Sequence, residues 1–145
     1  THTAHTAHTA HPAHTYSKKN FTYLYDDTQT ILRKELKNMK KLFASVPMKG
    51  RTQEEIKASI EKMKNIAEVY EGEDLELIDS YIEDSPPKGI NEAVCYLGES
   101  LKKLAQADVF IGITDASSWN GCYIENAVAL RYDIKHYFVP TRYII

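Results

Sequence analysis

The chain has 145 residues, of which 43% are hydrophobic and 26% are charged, as is typical of a single globular domain. No apolar run approaches the roughly 20 residues of a membrane-spanning helix, and no signal-peptide pattern is present, so we expect a cytoplasmic protein without membrane contacts. The net charge of −2, without a basic stripe, argues against a nucleic-acid polymer as ligand and is compatible with a single nucleotide.

The first part of the chain differs in composition from the rest. Residues 1–15 repeat Thr, Ala and His with almost nothing to bury, and we predict that residues 1–38 form a low-complexity, disordered extension, either a tag or translated upstream sequence. The run Arg-Lys-Glu at 33–35 can be encoded by a purine-rich stretch that resembles a bacterial ribosome-binding site. This suggests Met39 as the natural start. The alternative is an added helix over residues 27–38.

Residues 39–145 show alternating strand and helix patterns. A helix is predicted from the capping box Thr52-Gln-Glu-Glu to Gly72, with a core face of Ile56, Ile60, Met63, Ala67 and Tyr70. A second helix is marked by Ile90, Val94, Leu97, Leu101 and Leu104, and strands are predicted at 42–46, 75–79, 109–114 and 136–139. The pattern predicts an α/β fold, a flavodoxin- or Rossmann-like three-layer sandwich with a parallel sheet of strand order 2-1-3-4.

The segment 107–129 is the most informative part of the chain. The apolar run 109–114 is too continuous for a half-exposed strand and is typical of one covered on both faces. Turn-forming residues follow at 116–121, and a helix then begins in which Ile124, Ala127, Val128 and Arg131 recur at three- and four-residue steps. Such loops hold ligands in α/β folds, so we expect a crevice between the first and third strands, faced by Glu125.

The cysteines give no sign of a disulfide framework or a metal site. Cys95 and Cys122 both fall in predicted helices and lack the spacing of zinc ligands. We therefore expect two free thiols, no metal and no cofactor.

Two segments resemble the nucleoside 2-deoxyribosyltransferases and the related deoxynucleoside 5′-monophosphate N-glycosidases. Segment 42–51, Leu-Phe-Ala-Ser-Val-Pro-Met-Lys-Gly-Arg, is similar to the first strand of that family and its phosphate or sugar loop. Segment 104–130, with its Gly-x-x-x-Glu turn at Gly121 to Glu125, is similar to a later strand, turn and helix. The likeness is greatest to small phage and bacterial members that share the Pro-Met-Lys-Gly start.

The resemblance implies that Glu125 is a nucleophile that attacks the anomeric carbon of a 2-deoxyribosyl group. A carboxylate is a competent nucleophile for an oxocarbenium-like centre, and two successive displacements retain configuration. The family also places an acidic residue in the second helix, where this chain has Glu99 or Ser100. A further acidic residue of the family is replaced in the turn by Trp119 or Asn120, a departure that favours a binding protein.

The expected substrate contacts come from the predicted strand ends and the loops that follow them. They are Phe43, Ser45, Pro47, Met48, Lys49, Gly50, Arg51, Asp79, Asp115, Trp119, Asn120 and Gly121. Lys49 and Arg51, beside a glycine and a helix start, could hold a phosphate. Structural roles compete with these: Asp115 could cap the turn, and Glu125 could be favoured near a helix N-terminus by the macrodipole.

Two classes of function follow. The first is an enzyme that acts on the N-glycosidic bond of a deoxynucleoside or its 5′-monophosphate, and the alternative is a non-catalytic nucleotide or nucleotide-sugar binder, for instance of phage origin. A flavodoxin-like domain with another ligand lacks positive support. We also expect a homo-oligomer, because Tyr132, Tyr137 and residues 143–145 have no evident partner within the chain and the resemblance implies dimers or larger rings.

Overall fold

The computed structural model describes residues 27–32 and 38–145. The chain divides into two units, with the boundary between Met39 and Lys40. In the first unit residues 27–32 are helical; apart from Asn38, the rest of the predicted disordered extension lies outside the described residues. The second unit carries all the elements that follow.

The second unit is built on a sheet of four parallel strands in the order β2-β1-β3-β4. This confirms the order predicted from the alternation of strands and helices. The strands are β1 (Lys41–Ala44), β2 (Glu76–Leu77), β3 (Val109–Ile113) and β4 (Lys135–Val139). All five residues of β3 are buried, as the continuous apolar run predicted for a central strand covered on both faces. By contrast, β2 at one edge has only two residues.

Three helices connect the strands: α1 (Gln53–Glu71), α2 (Glu92–Leu104) and α3 (Asn120–Arg131). The predicted capping box of α1 is present, because the Thr52 hydroxyl accepts from the Glu55 N–H and the Glu55 carboxylate accepts from the Thr52 N–H. Gly72 ends α1 at a φ of 73°, a left-handed conformation that glycine adopts without a steric penalty. Within residues 27–32 and 38–145, every helix is too short or too polar to cross a bilayer.

The sheet is packed on both faces, which gives three layers. Leu42 of β1 belongs to a cluster with Met63 and Ala67 of α1. Its neighbour Phe43 packs with Leu104 of α2 and Phe110 of β3, on the opposite side of the sheet. This division follows from the two-residue period of a strand, in which successive side chains point to opposite faces.

The prediction of which side of α3 faces the core is wrong, because the buried positions are shifted by one residue along the sequence. Its buried residues are Cys122, Glu125 and Ala129, whereas Ile124 is 38% exposed and Arg131 is exposed. The polar Glu125 takes the inward place because its carboxylate finds hydrogen-bond donors there, described below. An apolar pattern cannot predict such a place, since it assigns polar residues to the outside.

Two further residues assigned to the core lie on the surface. Tyr70 of α1 is 66% exposed and stacks on Tyr137 with ring centroids 5.3 Å apart, while Val94 of α2 is 61% exposed. In addition, Ile90 precedes α2, which begins only at Glu92. The first turns of α2 therefore leave apolar side chains uncovered by the sheet.

Candidate functional site

A cavity of about 350 Å³ opens at the carboxyl ends of β1 and β3. The connection after β1 leads toward β2 at one edge of the sheet and the connection after β3 leads toward β4 at the other edge, and α/β folds bind ligands at such a switch point. Its walls are formed by Phe43, Ala44, Val46, Met48, Lys49, Ser80, Ile82, Ala93, Tyr96, Leu97, Ser100, Ser118, Trp119, Asn120, Gly121, Cys122 and Glu125. The expected position of the crevice, between the first and third strands, thus coincides with a cavity.

Glu125 lies at the wall of this cavity with only 8% of its surface exposed. The Ser45 hydroxyl, at the end of β1, donates to Oε1 at 2.7 Å. The Ser100 hydroxyl, on α2, donates to Oε2 at 2.5 Å. Each carboxylate oxygen is therefore held by one hydroxyl, and three different elements fix the orientation of the group.

Burial raises the pKa of Glu125 above that of an ordinary glutamate, and the hydrogen bonds from Ser100 and Ser45 oppose this shift without cancelling it. Cys122 lies next to the same group, and burial raises the pKa of its thiol to about 11. The thiol is therefore protonated at neutral pH and is a poor nucleophile there. Among the groups of this wall, the carboxylate is the better candidate for chemistry.

The raised pKa predicts how stability depends on pH at this position. A carboxyl whose pKa is higher in the folded than in the unfolded state binds its proton more tightly in the folded protein. The free energy of unfolding therefore falls as the pH rises from the pKa of the unfolded state through that of the folded state. Glutamine does not titrate and does not cause this loss. We therefore expect the melting temperature of Glu125→Gln minus that of the wild type, measured by calorimetry, to be larger at pH 8 than at pH 4. An equal difference at both pH values would contradict the buried, pKa-shifted carboxyl.

Most of the predicted site residues meet at this cavity. Those that line it are Phe43, Met48, Lys49, Ser100, Trp119, Asn120, Gly121 and Glu125. Ser45 lies behind the carboxylate, 1% exposed, with its own N–H donated to the Ile111 carbonyl at 2.8 Å. The structure thus brings together the two segments on which the family resemblance depends.

Three predicted acidic residues lie elsewhere. Glu99 forms an exposed ion pair with Lys102 at 3.1 Å. Neighbouring side chains on a helix point about 100° apart, and at this place it is Ser100 that reaches the cavity. The Asp79 carboxylate accepts from the Tyr81 N–H at 2.9 Å in an Asx turn. The Asp115 carboxylate accepts hydrogen bonds from the hydroxyl and the backbone N–H of Thr141, and these lower its pKa. It does not line the cavity, and it makes no capping hydrogen bond to its own turn.

Part of the predicted phosphate loop also points away from the cavity. Pro47 is buried, and Arg51 donates from Nη1 to the Pro47 carbonyl at 2.8 Å. Gly50, at a φ of 74°, occupies the third position of a β-turn closed by the Arg51 N–H on the Met48 carbonyl at 3.1 Å. Of the two predicted cations, only Lys49 lines the cavity.

Several lining residues were not predicted. Tyr96 lies four residues before Ser100 on α2, so both side chains are on the same side of the helix. This spacing could have indicated Tyr96 once Ser100 was a candidate. Ser80 and Ile82 belong to the connection between β2 and α2, and the sequence analysis assigned no element to either residue. No local pattern reveals that this connection reaches the cavity, because its path depends on packing between distant segments.

No protein-family model, curated protein or solved structure matches this chain.

The first turn of α3 forms part of the cavity wall. Asn120, Gly121 and Cys122, in the first turn of α3, line the cavity, and Trp119 at the N-cap offers no side-chain hydrogen bond to that turn. Free amide groups at a helix N-terminus attract anions. Among residues 27–32 and 38–145, no cluster of three or more His, Cys, Asp or Glu side chains is arranged to hold a metal ion.

Proposed function

We propose that this protein binds a deoxynucleoside or its 5′-monophosphate and cleaves or transfers the N-glycosidic bond, with Glu125 as the nucleophile. The observation that carries the proposal is the buried carboxylate held by two serine hydroxyls at the wall of a cavity of about 350 Å³. A cavity of this volume is within the range of small-molecule sites, about 300–1,000 Å³. The resemblance of segments 42–51 and 104–130 supports the choice of substrate.

In the proposed reaction, a carboxylate oxygen of Glu125 attacks C1′ of the sugar. The C1′–O bond forms as the C1′–N bond breaks, and the base leaves with the electron pair of that bond and takes a proton from water. Water, or a second base in a transfer reaction, then attacks C1′ and releases the carboxylate. The proton that the attacking group loses neutralises the hydroxide left by the first step, and configuration is retained overall. Ser45 and Ser100 hold the carboxylate in one orientation, which reduces the entropic cost of reaching the reacting geometry.

The remaining walls suggest how such a substrate is held. Phe43, Tyr96 and Trp119 supply aromatic surface on which a base can stack. Lys49 and the first turn of α3 supply a cation and backbone amide groups suited to a phosphate. The proposal therefore places the base against aromatic side chains and leaves the 5′ end near Lys49.

The alternative is a cytoplasmic nucleotide or nucleotide-sugar binder without catalysis, and one observation favours it. Of the described residues that line the cavity, Glu125 is the sole carboxylate, so no second acid is placed to protonate a departing base. The deciding experiment is incubation of the protein with a panel of deoxynucleosides and their monophosphates, with free base followed by chromatography. Saturable binding without base release would select the alternative, and release of base would select the enzyme.

Lys49→Ala tests whether a phosphate is part of the ligand. We expect the Michaelis constant for the 5′-monophosphate to rise about tenfold, since a charge-assisted hydrogen bond is lost, and that for the plain nucleoside to change less than about twofold. Lys57→Ala, an exposed charge on α1 that does not line the cavity, is the matched control and should change neither constant. Equal effects of Lys49→Ala on both substrates would indicate a plain nucleoside site.

We also propose that the protein forms a homo-oligomer, although two of the residues that suggested it have partners inside the chain. The Tyr137 hydroxyl donates to Glu71 at 2.8 Å, and Ile144 is 1% exposed. Instead, apolar side chains are uncovered beside the cavity, where Val94 and Tyr123 line a second groove and are 61% and 59% exposed. An interface through α2 and α3 would cover both residues.

Light scattering tests this interface. We expect a dimer or larger assembly at micromolar concentration and a monomer after Val94→Glu, because a charge cannot be buried there without a partner. Val69→Glu is the matched control, since Val69 is 79% exposed on α1 and lines neither the cavity nor the groove beside it. A monomeric wild type would contradict the proposed assembly.

A further inference from the structure

Arg51 holds the loop between β1 and α1 closed and does not line the cavity. Its Nη1 donates to the Pro47 carbonyl at 2.8 Å. Its Nη2 donates to the Glu55 carbonyl at 3.2 Å and to the Ser59 hydroxyl at 2.7 Å. The guanidinium therefore joins the start of the loop to the first turns of α1, and its hydrogen bonds are made to acceptors of the protein itself.

The contact with Ser59 extends this connection to the end of the chain. Ser59 is 1% exposed, and while it accepts from Arg51 it donates to the Ile144 carbonyl at 2.6 Å. Ile144 is itself 1% exposed and belongs to the core cluster around β3. The loop is thus held against two elements that are packed into the core.

We propose that Arg51 is a positioning residue that holds Lys49 in place at the cavity, in contrast to the direct phosphate contact that its sequence position suggested. The role as stated depends on the proposed function, because it is through Lys49 that Arg51 affects the ligand. Lys49 and Arg51 occupy the second and fourth positions of one β-turn, so an anchor on Arg51 fixes the direction in which Lys49 projects.

The shape of the guanidinium explains why arginine suits this place. Two of its nitrogens reach three acceptors that belong to the loop and to α1. A planar fork with fixed donor directions holds several acceptors at once, whereas a lysine ammonium is a single point on a flexible stem. Without the anchor, the tip at 48–50 would depend on the single backbone hydrogen bond of the turn.

The first test needs no ligand. A protease specific for lysine cleaves after Lys49, and its rate at that bond, measured by mass spectrometry, reports how often the loop opens. We expect Arg51→Ala and Ser59→Ala to raise this rate about tenfold, since each removes hydrogen bonds that hold the loop closed. Lys57→Ala should leave the rate unchanged. An unchanged rate in both Arg51→Ala and Ser59→Ala would overturn the anchoring role.

The second test separates positioning from direct contact by a double-mutant cycle. Trp119, the sole tryptophan of the chain, lines the cavity, so its fluorescence can report the binding of a deoxynucleoside and its 5′-monophosphate. We expect Lys49→Ala and Arg51→Ala each to weaken monophosphate binding about tenfold relative to the nucleoside, and the double variant to be no weaker than either one. Independent, multiplied losses of about a hundredfold would mean that Arg51 binds phosphate itself.

The two tests also distinguish this inference from the proposed function. If the cleavage rate rises as expected but the wild type binds no deoxynucleoside or monophosphate, the anchoring role stands and the proposed function falls. If the wild type binds the monophosphate and Arg51→Ala binds it equally well, the positioning role falls and the proposed function stands.

Discussion

Glu125→Gln is expected to reduce base release by about three orders of magnitude or more and to leave the fold intact. A neutral amide is not a competent nucleophile for C1′, so the glycosyl ester cannot form. The glutamine can still accept a hydrogen bond from Ser45 through its carbonyl and donate one to Ser100 through its amide, and packing is preserved. Chromatography of free base, together with circular dichroism, measures both parts of this expectation.

Glu99→Gln provides the matched control, because it is the same change at an acidic residue that pairs with Lys102 outside the cavity. It should retain the turnover of the wild type. If Glu125→Gln also retains turnover, Glu125 is not the nucleophile and the carry-over from the resembling family fails at its most important residue.

Gly112→Ala is expected to destabilise the protein by about 1–3 kcal/mol, the usual cost of overpacking a core. A Cβ at this position of β3 would lie 2.2 Å from Asn126 Oδ1 and 2.7 Å from Phe110 Cε1. The Asn126 amide cannot simply turn away, since its Nδ2 donates to the Ile113 carbonyl at 2.8 Å. Because Asn126 follows Glu125 on α3, any shift of that helix also moves the proposed nucleophile.

Urea unfolding measures this effect, and Gly98→Ala is the control. Gly98 lies inside α2, and a Cβ there would meet nothing within 4 Å. Alanine should therefore stabilise the helix by about 0.5–1 kcal/mol, the difference in helix propensity between the two residues. Equal stabilities of Gly112→Ala and the wild type would show that β3 and α3 are less tightly packed than described.

The order of the strands could be predicted from the sequence because it depends on local signals. The run at 109–114, the capping box at Thr52 and the glycine at position 72 each mark an element boundary through short-range physics. Once the elements alternate, right-handed crossovers leave few possible topologies.

The position of the cavity could be predicted for the same reason, but the directions of the side chains around it could not. Ser45 follows β1, and Glu125 lies in the helix that follows β3, so both are placed near the carboxyl ends of buried strands. Arg51 was assigned to the ligand because a cation beside a glycine is typical of phosphate loops, yet its guanidinium faces Ser59, which lies eight residues further along the chain. Such a choice depends on which acceptors the tertiary fold brings near, and the local sequence does not contain that information.

The shortness of β2 has a consequence for how the cavity opens. The wall that contains Ser80 and Ile82 is joined to the sheet through only two strand residues at its edge, and β1 and β3 hold the opposite wall within the core. Local opening begins where few buried apolar contacts and backbone hydrogen bonds must be broken. We therefore expect local opening of the cavity wall to begin on the β2 side, while β1 and β3 behind Glu125 stay intact.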